Sequence, residues 1–250
     1  HAISDCLCFG TPEQPHQMWE FVEAVRGVAD ACHGITLKDN PDQATPIIAG
    51  NVSFYNESNT GAIPPSPIVS CLGRLKDINK AVSMHFQKTD SILLLVGERK
   101  DELGGSIYYN LHGKLGANIP KPNLEEVKNQ IFAVSDIIDE RLVLSCHDIS
   151  DGGVAVAVAE MTFNNEIGCD INISCNLSND KILFSETGGF ILEISFSNIH
   201  IVEKIFSDRS ISFYNIGLTT SQQLLKINEF ILLPISKIKD AWKNGLREKL

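Results

Sequence analysis

Pro46-Ile47-Ile48-Ala49-Gly50-Asn51-Val52-Ser53-Phe54-Tyr55-Asn56-Glu57 and His147-Asp148-Ile149-Ser150-Asp151-Gly152-Gly153 are the two stretches on which the reading of this chain turns. In the first, a short apolar strand over residues 46–49 is expected to run into a turn at Gly50-Asn51. In the second, an apolar strand over 142–146 meets an apolar helix over 154–163, with the glycine pair at the junction. Strands that pass through such turns into helices build α/β layers.

Working outward from the first stretch, residues 1–5 read as a strand, and Pro12 to Pro15 as a turn. Pro15 suits the first turn of a helix, where its missing N–H costs nothing. Met18, Phe21, Val22, Val25, Ala29 and Cys32 then recur at helical spacing, and Gly34 is the expected stop. Met18, Trp19 and Phe21 are read as core. Residues 38–45 are polar and predict a surface loop. The segment 63–72 holds three prolines and suits an extended edge strand.

The composition changes character over 77–90, which places a boundary near residue 80. Beyond it, Ile92-Leu93-Leu94-Leu95-Val96 reads as a buried strand, and Leu124, Val127, Ile131, Val134 and Ile138 mark an amphipathic helix. Residues 189–196 and 210–216 predict strands with a Glu- and Lys-bearing helix between them. The expected fold class is α/β (α+β), with one domain over 1–80 and a second over 81–250 ending in a tail. The chain opens at His1 without Met, directly into an apolar strand, so it is read as lacking its natural amino terminus.

Bulk properties narrow the function. The 250 residues carry a net charge of -10 and a pI near 5.1, a balance that repels a phosphate backbone, so nucleic acid is not an expected partner. No apolar run reaches the length of a membrane span and no export leader is visible, so neither a membrane nor the exterior is expected. The seven cysteines are scattered and odd in number, without any C-x-x-C. This suits reduced thiols of the cytoplasm better than a disulfide framework or a zinc site.

Four segments carry residues suited to chemistry. In the Gly50-to-Glu57 string, Gly50 allows close backbone approach, Asn51 offers an oxygen to a hard cation and Ser53 a hydroxyl to phosphate or substrate; the same residues also suit an ordinary turn. The His147-to-Gly153 loop opens a helix, where free N–H groups attract anions, and its acidic residues suit either a metal–phosphate or a cap. Leu103-Gly104-Gly105-Ser106 is a phosphate cradle or a turn. In Asp5-Cys6-Leu7-Cys8-Phe9-Gly10-Thr11-Pro12-Glu13, a carboxylate sits just past the opening strand. There is no Walker A loop, dinucleotide fingerprint or H-E-x-x-H.

Taken in order along the chain, the Asp5-to-Glu13 string, Trp19, the Pro46-to-Glu57 string, Leu103-Gly-Gly-Ser106, His147-to-Gly153 and Leu183-Phe-Ser-Glu186 resemble phosphoribosylformylglycinamidine synthase. The resemblance spans essentially the whole chain and aligns it with the carboxy-terminal half of that synthetase. It implies a PurM-like fold: the remainder of a pairing, nucleotide-binding domain, followed by an α/β domain with helices on a mixed sheet. It also implies a reaction in which ATP phosphorylates the amide oxygen of formylglycinamide ribonucleotide and glutamine-derived ammonia displaces the phosphate. ATP and Mg²⁺ are the implied cofactors. Asp5 and Gly50 would contact ATP, Asn51 would bind Mg²⁺ and Ser53 the substrate; no catalytic role is carried over to His147, Asp148 or Asp151. The implied partners are the missing amino-terminal half, a separate glutaminase subunit and a small accessory subunit. By itself the chain would be inactive.

Two departures stand out: Cys8 replaces the family's usual Asn, and the 38–45 loop is longer than expected. Two other readings compete. One is a half that holds nucleotide for structure without turning it over. The other is a different superfamily member, such as a kinase or aminoimidazole ribonucleotide synthetase, against which the Asn51-to-Glu57 string argues.

Overall fold

The computed structural model describes residues 1–247. Residues 248–250, the end of the 81–250 segment, lie outside the described residues. The chain divides into two compact units, His1–Ile78 and the remainder from Asn79.

The first unit is built on β1 (Ala2–Cys8), followed by α1 (Pro15–Gly34), β2 (Ile47–Ser53), a small hairpin of β3 (Glu57–Ser58) and β4 (Gly61–Ala62), and β5 (Ser66–Leu72). β1 lies at the centre of a three-stranded sheet, parallel to β2 and antiparallel to β5. The proline-bearing β5 takes an edge, as its composition requires. α1 begins at Pro15 and ends at Gly34, as its spacing predicts.

Three expectations are corrected here. The strand does not stop at Ala49, and Asp5 does not lie beyond its own strand. Residues 49–53 pair in continuous register with residues 4–8, and this ladder outweighs the turn preference of a Gly-Asn pair. The chain reverses only at Tyr55, whose φ of 57° is left-handed. Trp19 is also not core: it is 64% exposed, and Met18, Val22 and Val25 are exposed with it. Helical spacing identifies the apolar stripe but not how much of it a narrow sheet covers. Phe21 does pack inward, edge-on to Phe9 and Phe54 at centroid distances of 5.4 and 4.9 Å.

The second unit runs β6 (Ile92–Val96), α2 (Ile107–Leu111), α3 (Leu124–Asp139), β7 (Val143–Asp148), α4 (Gly153–Met161), β8 (Gly168–Ile171), α5 (Asn179–Phe184), β9 (Phe190–Ile194), α6 (Ile199–Asp208), β10 (Phe213–Thr220), β11 (Leu224–Ile227), β12 (Ile231–Pro234) and α7 (Ile235–Asn244). Its seven strands form one mixed sheet in the order β12-β11-β8-β10-β6-β9-β7, antiparallel throughout except for β8 beside β11.

Both faces of this sheet are covered, which explains the unbroken apolar run of β6. Leu93 and Leu95 point into a core completed by Val154, Val158 and Met161 of α4 and Ile182 and Leu183 of α5. Ile92, Leu94 and Val96 point the other way, against Val134 and Ile137 of α3 and Val202 and Phe206 of α6. A strand sandwiched between helix layers loses the apolar–polar alternation of a half-exposed one. α4 is apolar almost all round because the sheet and α5 enclose it; Val154 and Val158 are fully buried.

Candidate functional site

In the first unit the two quoted strings clasp each other. Phe9 N–H donates to Ser53 O at 2.9 Å and Tyr55 N–H to Gly10 O at 3.0 Å. Tyr55 Oη donates to Glu13 Oε1 at 2.6 Å, and that hydrogen bond holds the Glu13 carboxyl below its usual range while raising the tyrosine. Thr11 Oγ1 donates to Glu57.

Register decides how the four predicted residues are grouped. Asp5 lies opposite Gly50, Cys6 opposite Asn51 and Cys8 opposite Ser53. Successive strand residues point to opposite faces, so Asp5 and Gly50 share one face, and Asn51 and Ser53 share the other. The Asp5 face is the one that α1 covers. Phe9, of the same parity, packs on Phe21, and Cys32 of α1 has its thiol pKa raised by burial and, to a lesser degree, by the charges of Cys71 and Asp5.

Asp5 and Gly50 are joined closely. A Cβ placed on Gly50 would lie 2.9 Å from Asp5 Oδ1 and 3.4 Å from its Cγ, so the absent side chain is what makes room for the carboxylate. On the other face, Asn51 Nδ2 donates to Cys6 Sγ at 3.5 Å. Ser53 Oγ is held by Asn56, 3.1 Å from its Nδ2 and 3.2 Å from its Oδ1, while Asn56 Nδ2 also reaches Phe9 O at 3.0 Å. Two pairs are formed, not one cluster of four. β2 is an edge strand, and its edge is where the two faces meet.

The metal assignment can be tested on the donor set. Magnesium takes an octahedron of oxygens, usually from one or two carboxylates, waters and phosphate. Beside Asn51 stand the thiols of Cys6 and Cys8, soft donors unsuited to it. No group of three or more His, Cys, Asp or Glu side chains arranged to hold a metal occurs among the described residues. These residues do not make a magnesium site by themselves.

In the second unit the glycine pair at 152–153 has a different task from the anion cradle its sequence suggests. The N-terminus of α4 is already occupied by the chain's own carboxylate: Gly152 N–H donates to Glu186 Oε1 at 2.9 Å, and Ile107 N–H to the same oxygen at 2.8 Å. Neither Asp148 nor Asp151 caps the helix. Gly153, at φ 68°, is required by packing, since a Cβ there would lie 2.7 Å from Leu183 O and 2.8 Å from Ser185 O. His147 lies between carboxylates, with Nδ1 3.1 Å from Asp148 and Nε2 3.0 Å from Glu160.

The Leu183-to-Glu186 landmark thus gains a structural reason. Ser185 Oγ donates to Lys100 O at 2.8 Å. Arg99 donates to Thr187 O and Gly188 O, both at 2.8 Å, and burial lowers its pKa to about 10. At 103–106, Ser106 Oγ accepts from Tyr109 N–H and caps α2, so this segment is a turn with a cap. Glu186 entered the sequence reading only as the last residue of a family landmark, with no contact assigned to it, and Arg99 had no role there. The signal was present only as an unexplained carboxylate and arginine beside glycines, because their partners lie far away in the chain.

Residues 88–228 match the model of the AIR synthase related protein, C-terminal domain. The chain belongs to the AIR synthase related family. This member is 39% identical over 254 residues to the phosphoribosylformylglycinamidine synthase subunit PurL of Methanothrix thermoacetophila, covering 99% of the chain and 33% of the relative. It is 36% identical over 251 residues to the PurL subunit of Alkaliphilus metalliredigens, covering 98% and 33%. The resemblance read from the motifs is borne out along the whole chain, which spans about a third of the length of these curated relatives. Among solved structures, T. maritima PurL complexed with ATP superposes with a TM-score of 0.67 at 15% identity, covering 95% of this chain and 37% of that one. T. maritima PurL complexed with FGAR gives 0.71 at 16%, covering 95% and 39%. At such identity these likenesses show the fold, a mixed sheet with helices packed on it. No helix among the described residues is long and apolar enough to cross a membrane.

Proposed function

We propose that this family member is part of an ATP-dependent C–N ligase. Its substrate would be formylglycinamide ribonucleotide, converted with glutamine-derived ammonia to the amidine through an O-phosphorylated amide. The observation that carries the reading is the Asp5–Gly50 pair, a carboxylate seated against a glycine on the neighbouring strand. Together they offer an acceptor for hydroxyl or amino groups of a nucleotide and an open backbone beside it. Similarity along this chain to about a third of the length of PurL subunits supports the same reading. Asn51 would contribute one oxygen to a magnesium–nucleotide complex completed by other ligands, and Ser53 a hydroxyl to the substrate. Residues 1–80 would act as a pairing domain and 81–250 as its α/β companion. The partners would be the rest of the synthetase, a glutaminase subunit and a small accessory subunit. Seven free cysteines suit a cytoplasmic setting.

The test is Asp5→Asn in the complete synthetase, assayed for ATP- and ammonia-dependent amidine formation. The expected result is a raised KM for ATP with folding intact. Unchanged ATP kinetics would remove Asp5 from the site. The isolated 250-residue chain is expected to be inactive, and amidine formation by it would overturn that point.

A second reading, nucleotide held for structure, is favoured by the absence of a carboxylate opposite Asn51. Under it, Asn51→Ala in the complete synthetase lowers stability while turnover per folded molecule is preserved.

A further inference from the structure

A cleft of about 310 Å³ opens in the second unit, between the first turns of α3 and the end of the sheet where β7 and β9 pair. Val127 and Ile131 of α3 and Phe190 of β9 form its apolar wall. Asp148 lies directly opposite Phe190 in the ladder, so the two side chains share a face, and Phe190 packs against the α3 layer. The frame is fixed by the chain's own bonds. Arg99 holds the carbonyls of Thr187 and Gly188, and Glu102 accepts from Thr187 Oγ1 at 2.7 Å and from Lys121 N–H at 3.1 Å. A frame held in advance spares a ligand the cost of ordering it.

The polar groups that remain are mostly acceptors. Four carboxylates, Glu98, Glu102, Glu126 and Asp148, line the cleft against Lys100 and Lys121. Glu102 is used by the frame, and Glu126 stands 3.9 Å from Lys100. Glu98 takes only a long hydrogen bond from Ser212 Oγ at 3.4 Å, and Asp148 shares one oxygen with His147 at 3.1 Å. A buried side chain adds to this excess. Gln130 lines the cleft at 5% exposure, with Nε2 donating to Glu126 Oε1 at 3.1 Å. Its Oε1 accepts no hydrogen bond among the described residues, yet unlike Gln17 Oε1 it is not sealed from solvent. A carbonyl so placed calls for a donor. The free donors, Lys121 Nζ and Asn123 Nδ2, belong to exposed residues of the segment entering α3.

We propose that this cleft binds a small organic cation, a primary amine carried on an apolar stem. The ammonium donates to Asp148, Glu98 and Gln130 Oε1, and the stem covers Val127, Ile131 and the Phe190 ring, whose face attracts cations. An anion would meet two open carboxylates. A metal ion would leave the apolar wall unused, and no group of three or more His, Cys, Asp or Glu side chains arranged to hold one occurs among the described residues. The inference stands apart from the proposed ligase reaction, because none of these residues is assigned to ATP or to substrate there.

The test titrates 1,5-diaminopentane into the full 250-residue chain, followed by amide chemical shifts. Saturable shifts are expected at the Gln130 side-chain amide and at Ile131 and Phe190, with half-saturation in the millimolar range usual for so small a ligand. Asp148→Asn and Glu98→Gln should each weaken binding about three- to tenfold, and Gln130→Met roughly fivefold. Asp208→Asn removes the same charge outside the cleft and should leave binding unchanged. Equal affinity for 1,5-pentanediol or for glutarate would overturn the proposal. So would unsaturable shifts spread over the acidic surface, an Asp208→Asn effect as large as that of Asp148→Asn, or displacement of the amine by equimolar Mg²⁺. If Gln130→Met fails to fold, the exposed Glu98 and Asp148 variants decide.

Discussion

Gly50→Ala separates the glycine's role in folding from its role in binding. The new Cβ would sit 2.9 Å from Asp5 Oδ1 and 3.4 Å from its Cγ. That contact is too close for real atoms, but the opposing group is the end of a side chain and turns away by a few tenths of an ångström. Gly50 is not among the residues with left-handed φ, so alanine fits the backbone there. Relief of unfolded-state entropy returns about 0.5–1 kcal/mol, and an off-rotamer Asp5 costs about 0.5–1.5 kcal/mol. The net change in stability should therefore stay within roughly 1 kcal/mol. Binding should respond far more. A hydrogen bond involving the charged carboxylate contributes about 1.5–3 kcal/mol, so displacing Asp5 should weaken ATP binding about 10- to 100-fold. Urea unfolding and isothermal titration with Mg·ATP on the complete synthetase measure the two quantities. Asp5→Asn combined with Gly50→Ala should then add little to either change alone, since both act through one carboxylate. Undiminished ATP affinity in Gly50→Ala would refute the reasoning, as would a loss of stability large enough to account for the lost binding.

Other consequences can be measured by unfolding. Gly153→Ala should destabilise by more than about 3 kcal/mol, because the clash is with backbone oxygens at 2.7 and 2.8 Å and φ is 68°. Gly27→Ala, exposed within α1 with nothing within 4 Å of the new methyl, should stabilise by about 0.5–1 kcal/mol. Glu193 is fully buried and accepts from Gln87 N–H, Lys88 N–H and Ser145 Oγ at 2.8, 2.9 and 2.8 Å. Glu193→Ala leaves these donors without an acceptor and should cost about 3 kcal/mol or more, with Glu193→Gln milder. Burial pushes the Cys169 thiol up to about 12 from 9.0. Above pH 9 the unfolded thiol ionises while the folded one keeps its proton, so the unfolded state binds fewer protons and stability falls as pH rises. At pH 10 that loss is about 1.4 kcal/mol, and Cys169→Ala should remove it, narrowing its gap to wild type between pH 7 and 10.

How much of this was legible in sequence depends on how far each signal reaches along the chain. Pro15, the helical spacing after it and Gly34 are neighbours, and α1 was read correctly from end to end. The five apolar residues of β6 announce a strand covered on both faces without reference to anything else. By contrast, β8, β11 and β12 have four residues each. Runs that short become strands only because partners already in the sheet complete their ladders. Glu186 caps a helix whose first N–H lies 34 positions earlier, and no local pattern reports such a pairing. The exposure of Trp19 was lost for a related reason, since periodicity gives a face its direction and not the width of what covers it.

The candidate site shows the same limit at the scale of one residue. Gly50, Asn51 and Ser53 read as one loop when taken as a turn, with their side chains free to converge on a single ligand. As a strand in register with β1, the same residues alternate between faces, and Asp5 joins Gly50 while Asn51 turns to Cys6. A one-residue shift in that register would exchange the faces of Asn51 and Gly50, so the grouping rests on the ladder and not on residue type. A nucleotide that touched all four would have to lie along the free edge of β2, where both faces are within reach. One that lay over a single face would meet either Asp5 or Asn51. The dependence on each follows directly: edge binding predicts that Asp5→Asn and Asn51→Ala both weaken ATP binding, whereas binding over one face predicts that only one of them does.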